Sequence, residues 1–190
     1  MKHFKLRTDL TIEVGEKILY RIEATRDIEK FGVKAGDLGG YVEKEENLSG
    51  NAWVSDLAMV YGNAWVCDDA LVCDNAQVYG NARVSGNASV SGDADVSGDA
   101  LVSGNAEVYG DKIEKENDLI NITSNVGSYN ITITPKHIKI GCQYHSKTAW
   151  FNFTDDEIIK MDGEKAVNWW KTWKPILKQI CDSFASNKEE

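Results

Sequence analysis

From Leu48 onward a large aliphatic residue returns at every sixth position, through Val54, Val60, Val66, Val72, Val78, Val84, Val90, Val96 and Val102 to Val108. An alanine stands four places after each of the first ten, from Ala52 to Ala106. The intervening positions are turn formers, as in Gly62-Asn63, Gly80-Asn81 and Gly98-Asp99. Six is the wrong period for an amphipathic helix, whose apolar residues recur at spacings of three and four. Meander hairpins would need longer strands and more variable loops. The pattern therefore predicts a parallel β-helix, each hexad giving one short strand and one corner. Valine and alanine point inward, and Gly, Asn and Asp take the corner conformations that other residues resist. Three hexads close one triangular coil, so the eleven hexads make nearly four coils, about 17 Å tall at ~4.8 Å between stacked strands.

The flanks read differently. Residues 1–41 alternate in Phe4-Lys5-Leu6-Arg7 and in Ile18–Ile22, which predicts a β cap over the open end of the stack, where bare strand edges need cover. The β-helix is expected over 42–111. Residues 112–128 are polar and read as a linker, and 129–190 as a small α+β tail. In the tail, Tyr129–Thr134 and His137–Ile140 form a predicted hairpin around Pro135-Lys136. Trp150–Phe153 reads as a further strand, and Thr154-Asp155-Asp156-Glu157 as a capping box whose short helix ends at Gly163. Ala166, Trp170, Trp173, Leu177, Ile180 and Phe184 then lie on one helical seam, kinked or restarted at Pro175. That seam either packs on the hairpin or the side of the β-helix, or serves as a dimer or trimer surface.

Charge sharpens the picture. The chain of 190 residues carries a formal net charge of −9. The hexads hold nearly all the excess, with nine acids against the single Arg83 between 48 and 111. This excludes an ordinary basic nucleic-acid groove and an anionic membrane as direct partner. No apolar run spans a bilayer, and the start of the chain reads directly into strand rather than into a signal segment. Cys67, Cys73, Cys142 and Cys181 make no CxxC pair, so neither zinc nor a disulfide framework is indicated, and a reducing cytoplasm is expected. Cys67 and Cys73 follow inward valines and are expected to face outward.

Over roughly 42–111 the hexads resemble the repeat of left-handed β-helix proteins, best known among sugar and amino-acid acyltransferases. In that repeat a glycine or acid directly follows the aliphatic residue, whereas here Ser, Tyr or Cys takes that place and glycine comes one later. The resemblance implies a left-handed coil, a mostly β fold, and, as one alternative, a trimeric acyltransferase-like enzyme. The wider arrangement of Gly36-Asp37-Leu38-Gly39-Gly40-Tyr41-Val42-Glu43, Gly-Asn-Ala hexads and a Trp-rich tail looks like a group of small phage and prophage proteins. That likeness implies an anti-defence role, such as inhibition of CRISPR systems; a structural phage component is a further alternative.

The residues themselves weigh against chemistry. The histidines are His3, His137 and His145, none on the coils, where enzymes of this fold place a general base or a metal. No catalytic residue, cofactor or metal is assigned. Residues eighteen apart stack on one side, so one corner collects Asp56, Asp74, Asp93 and Asp111, with Asp95 just beyond. A second register holds Asp68, Asp69 and Glu107, and the third holds Asp99 offset by Arg83. Stacked like charges repel, and the expectation is an acidic edge that imitates nucleic acid and occupies the basic groove of a host defence complex. Calcium on stacked Asp and simple solubility are the other readings. The outward Trp53, Met59, Trp65 and Leu71, together with Trp170, Trp173, Leu177 and Ile180, are the candidate surface for a homo-oligomer or for docking.

Overall fold

A computed structural model describes residues 2–123 and 129–186 of the chain. It divides into two compact units at Asn121/Ile122. Phe184 of the predicted seam lies outside the residues whose side chains are described.

The first unit is a parallel β-solenoid of about four turns, closed at its start by a β hairpin. Its strands are only two or three residues long, because a corner follows almost at once. One face stacks Tyr41–Val42, Met59–Val60, Gln77–Val78 and Asp95–Val96 in parallel register. A second stacks Trp53–Val54, Leu71–Val72, Ser89–Val90 and Glu107–Val108. The third runs from Leu48 through Val66 and Val84 to Val102. Partners are eighteen residues apart throughout these stacks, as the sequence period requires.

Every valine of this column, from Val42 to Val108, is at most 1 % exposed, and its alanines at most 2 %. The core is thus a narrow shaft of small and branched side chains, filled layer by layer. Alanine is obligatory where the chain turns close to the axis, and valine where the three strands leave more room. From Leu48 on, the residue two places after each inward aliphatic turns the corner at positive φ. It is glycine in eight hexads and Asp56, Asp68 and Asp74 in the other three.

The stack departs from the period once. Lys112–Ile113 pairs with Asp95–Val96 seventeen residues away instead of eighteen. The shortened corner moves Asp111 into the place of an alanine: the Asp95 N–H donates to the Asp111 carbonyl just as that of Gln77 donates to Ala94. The expected linker therefore begins with a further strand of the solenoid, and Leu119 packs against its core; residues 124–128 of it lie outside the described residues.

The cap is the antiparallel pair Phe4–Val14 and Lys17–Ala24, joined to the solenoid face by Leu38–Val42. Gly39 and Gly40 let the two meet. A Cβ on Gly39 would stand 2.4 Å from the Val54 carbonyl, and one on Gly40 2.5 Å from that of Ala58. His3 closes the top, its Nε2 2.7 Å from the Ala52 carbonyl oxygen.

In the second unit Ile131–Ile133, His137–Ile140 and Gln143–Ser146 form antiparallel sheet. The expected strand at Trp150–Phe153 is instead the short helix Lys147–Asn152, because Ser146 caps it by accepting the Ala149 N–H. The capping box is present, Thr154 and Glu157 exchanging bonds. The helix Asp155–Ser186 is broken at Asp162 and Gly163, and its backbone stays helical through Pro175.

Candidate functional site

The corner after Val54, Val72 and Val90 carries the densest acid. Asp56 and Asp74 occupy its positive-φ position, which Asp and Asn tolerate better than other residues with a side chain. From there each carboxylate reaches along the stack to the next coil: Asp56 Oδ2 accepts the Asp74 N–H at 3.3 Å, and Asp74 Oδ2 accepts the Gly92 N–H at 2.8 Å. Asp93, one place further on, accepts from Asn75 Nδ2 at 3.0 Å. All three remain exposed. None has an ion-pair partner among the described residues.

The other corners are built alike but charged differently. Asp68 caps the Gly86 N–H at 3.0 Å. Asn51 donates to Asp69 at 2.9 Å, and Lys30 from the cap lies 3.5 Å from the same carboxylate. On the third corner an amide ladder runs from Asn63 to Asn81 and ends on Asp99, at 3.2 and 3.0 Å. The acids are therefore corner-builders as well as charges. Among the described residues only Asp69 of these corner acids has a cation beside it, Lys30 from the cap; the first corner differs in stacking three acids with none.

Two members of the expected edge belong elsewhere. Asp111 is 2 % exposed, carried inward by the shortened coil. Asp95 is half-buried on the flat of a strand, where one carboxylate oxygen accepts the Tyr79 hydroxyl at 3.1 Å and the other is buried without a partner. The edge is thus Asp56, Asp74 and Asp93. Beside it stands Leu57, 58 % exposed. Its signal in the sequence is plain in retrospect: every other hexad has Asn or Asp at that corner place.

The thiols also need correcting. Cys67 is buried, not outward, and Cys73 is half-buried. Burial first, then the charges of Asp74 and Asp56, push the Cys73 thiol up to about 11. The thiolate is therefore disfavoured at neutral pH, chiefly by burial.

The apolar patch is mostly used up locally. Trp53 is 2 % exposed and lies against Gly39 of the cap. Trp65 is 39 % exposed and is covered by the Arg83 guanidinium, 4.4 Å from its ring centre. Met59 and Leu71 are half-buried. In the second unit Trp170 and Leu177 are buried, which removes them from any exposed surface, while Trp173 and Ile180 stay half-exposed. Trp170 packs on Trp150 and Phe151 at 5.3 and 6.2 Å. His145 sits edge-on to Trp150 and Phe153, and His137 stacks on Tyr144. Both histidines are engaged in aromatic packing.

Among the described residues no cluster of three or more His, Cys, Asp or Glu is placed to hold a metal ion, and no helix is long and apolar enough to cross a membrane. A family model described as the YdcK beta solenoid repeat matches residues 76–92, about one coil. No curated protein matches the chain. Family model and coordinates agree on a repeat β-solenoid protein.

Proposed function

We propose that the protein is a non-enzymatic inhibitor of phage type that docks on a basic, nucleic-acid-binding surface of a host defence complex. The observation that carries this reading is the corner itself: Asp56, Asp74 and Asp93 stand exposed with no ion-pair partner among the described residues, whereas Asp69 at another corner is answered by Lys30. Coil spacing gives such carboxylates a rise of ~4.8 Å per layer, a regular array of the kind that cationic grooves accept in place of phosphates. Leu57, 58 % exposed beside them, adds apolar contact area to this edge.

Two finer points belong to the same reading. The coil is of the left-handed hexapeptide type, supported by the unbroken six-residue recurrence from Leu48 to Val108. The working form is a dimer or trimer in the bacterial cytoplasm.

The test is competition. The protein is titrated into DNA-loaded CRISPR effector complexes, and release of labelled DNA is followed at two salt concentrations. The reading expects displacement from at least one complex and weaker displacement at high salt. It fails if no effector releases DNA, or if release is indifferent to salt.

A further inference from the structure

The C-terminal unit holds a cavity of about 30 Å³ that plays no part in the proposed docking. Its walls are largely apolar, with Ile140, Ile158 and Met161 among them, and the adjacent Trp169 and Trp170 also line it. The indole N–H of each of these two tryptophans is buried and has no hydrogen-bond partner among the described residues. Trp170 as a whole is only 3 % exposed. Trp150 on the same wall shows the ordinary fate of a buried indole, donating to the Ile138 carbonyl at 2.7 Å. Native interiors rarely leave a buried donor unmade, and two on neighbouring residues around one cavity call for an acceptor.

The acceptor's chemistry can be narrowed. Asp162 lines the cavity and accepts the Tyr129 hydroxyl, so a carboxylate already stands at the rim and disfavours a second anion. Apolar walls also penalise any full charge that is not paired. Its space of about 30 Å³ exceeds the ~10–15 Å³ that a single water needs on the same measure, so it admits a small functional group while the body that carries it stays outside. We propose that this cavity is a recognition pocket for a neutral carbonyl group, an amide or ester oxygen on a small apolar body, with the Trp169 and Trp170 indoles as its donors.

Proton–nitrogen correlation spectra of the full chain resolve the indole N–H signals, and Trp169→Phe and Trp170→Phe assign the two in question. Titration with N-methylacetamide should shift both signals saturably and leave that of Trp53, in the first unit, in place. Acetate at the same concentration should move neither. Trp170→Phe should weaken N-methylacetamide binding about fivefold, the effect of one lost hydrogen bond. The proposal is overturned if the Trp169 and Trp170 signals stay still, if Trp53 moves with them, or if acetate binds as well. A water cross-peak to both indoles that persists through the titration would equally overturn it, since water would then fill the pocket.

Discussion

Asn81 sits mid-way along an exposed ladder, accepting from Asn63 at 3.2 Å and donating to Asp99 at 3.0 Å. Replacing it with aspartate keeps the acceptor for Asn63 and removes the donor toward Asp99. The lost bond is exposed, so its contribution falls at the low end of the usual range of about 0.5–1.5 kcal/mol. In its place two carboxylates face each other, which in water at ~4 Å adds about 1 kcal/mol of repulsion. Asn81→Asp should therefore cost about 1–2 kcal/mol in all, with Tm falling by about 2–4 °C per kcal/mol in a chain of this size. Asp99→Asn alone should be nearly neutral, because Asn87 and Asn105 already form an all-amide rung at 3.1 Å. Combining the two changes restores a donor, now on residue 99, and should recover about 1 kcal/mol relative to the sum of the singles. Urea denaturation followed by far-ultraviolet circular dichroism measures all four proteins. Strict additivity, or a neutral Asn81→Asp, would refute the ladder as a stabilising device.

Val78 is fully buried, so Val78→Asp should abolish the solenoid's β signal at a cost of several kcal/mol, while Ser89→Asp on the outer side of a strand should cost about 0.5 kcal/mol; equal tolerance would contradict the register. Gly80→Ala should destabilise more than Gly110→Ala: both hold positive φ, at about 1–2 kcal/mol for a side chain there, but a Cβ at Gly80 also meets the Gly98 nitrogen at 2.9 Å, whereas Gly110 has nothing within 4 Å. Burial holds the His3 imidazole below its ordinary value of 6.5, and Arg26 and Lys2 add to the effect. A lowered folded value means that the unfolded chain takes up the proton first. The stability this contributes is full above about pH 6.5 and is lost as pH falls below it. His3→Gln should therefore flatten the loss of stability between pH 7.5 and 5.5, and an unchanged slope would count against a buried neutral His3.

The solenoid was legible in the sequence because its core has a one-residue alphabet at each place. Valine in the strand and alanine before it leave the period visible without any contact information, and Gly or Asp at the corner fixes the turn. What escaped was anything that depends on a change of count or on a long-range cover. The last coil is one residue short, and nothing local to Asp111 signals that it slides into an alanine's place. Trp53 has the pattern of an outward residue, yet the glycine pair at 39–40 brings the cap down on it. Cys67 and Ser85 follow inward valines, and alternation assigns them to solvent; stacking in successive coils at a corner buries them instead. In the tail, Trp150–Phe153 has strand-like composition, but the cap at Ser146 turns it into helix. Of the candidate edge, Asp56, Asp74 and Asp93 followed from the eighteen-residue stacking alone, and Leu57 could have been found as the one corner without an Asx side chain.

The central claim is that one corner, and not acidity in general, binds the partner. The most direct measurement compares two variants of equal net charge, Asp56→Asn/Asp74→Asn/Asp93→Asn and Asp68→Asn/Asp69→Asn/Asp99→Asn, for affinity to a basic nucleic-acid-binding effector. Asparagine keeps an acceptor for each corner N–H and tolerates the same backbone, so both should fold as the parent does. The account predicts that the first variant loses most of its binding and much of its salt dependence, while the second binds nearly as the parent protein. Equal binding by the two, or greater damage from the second, would contradict it.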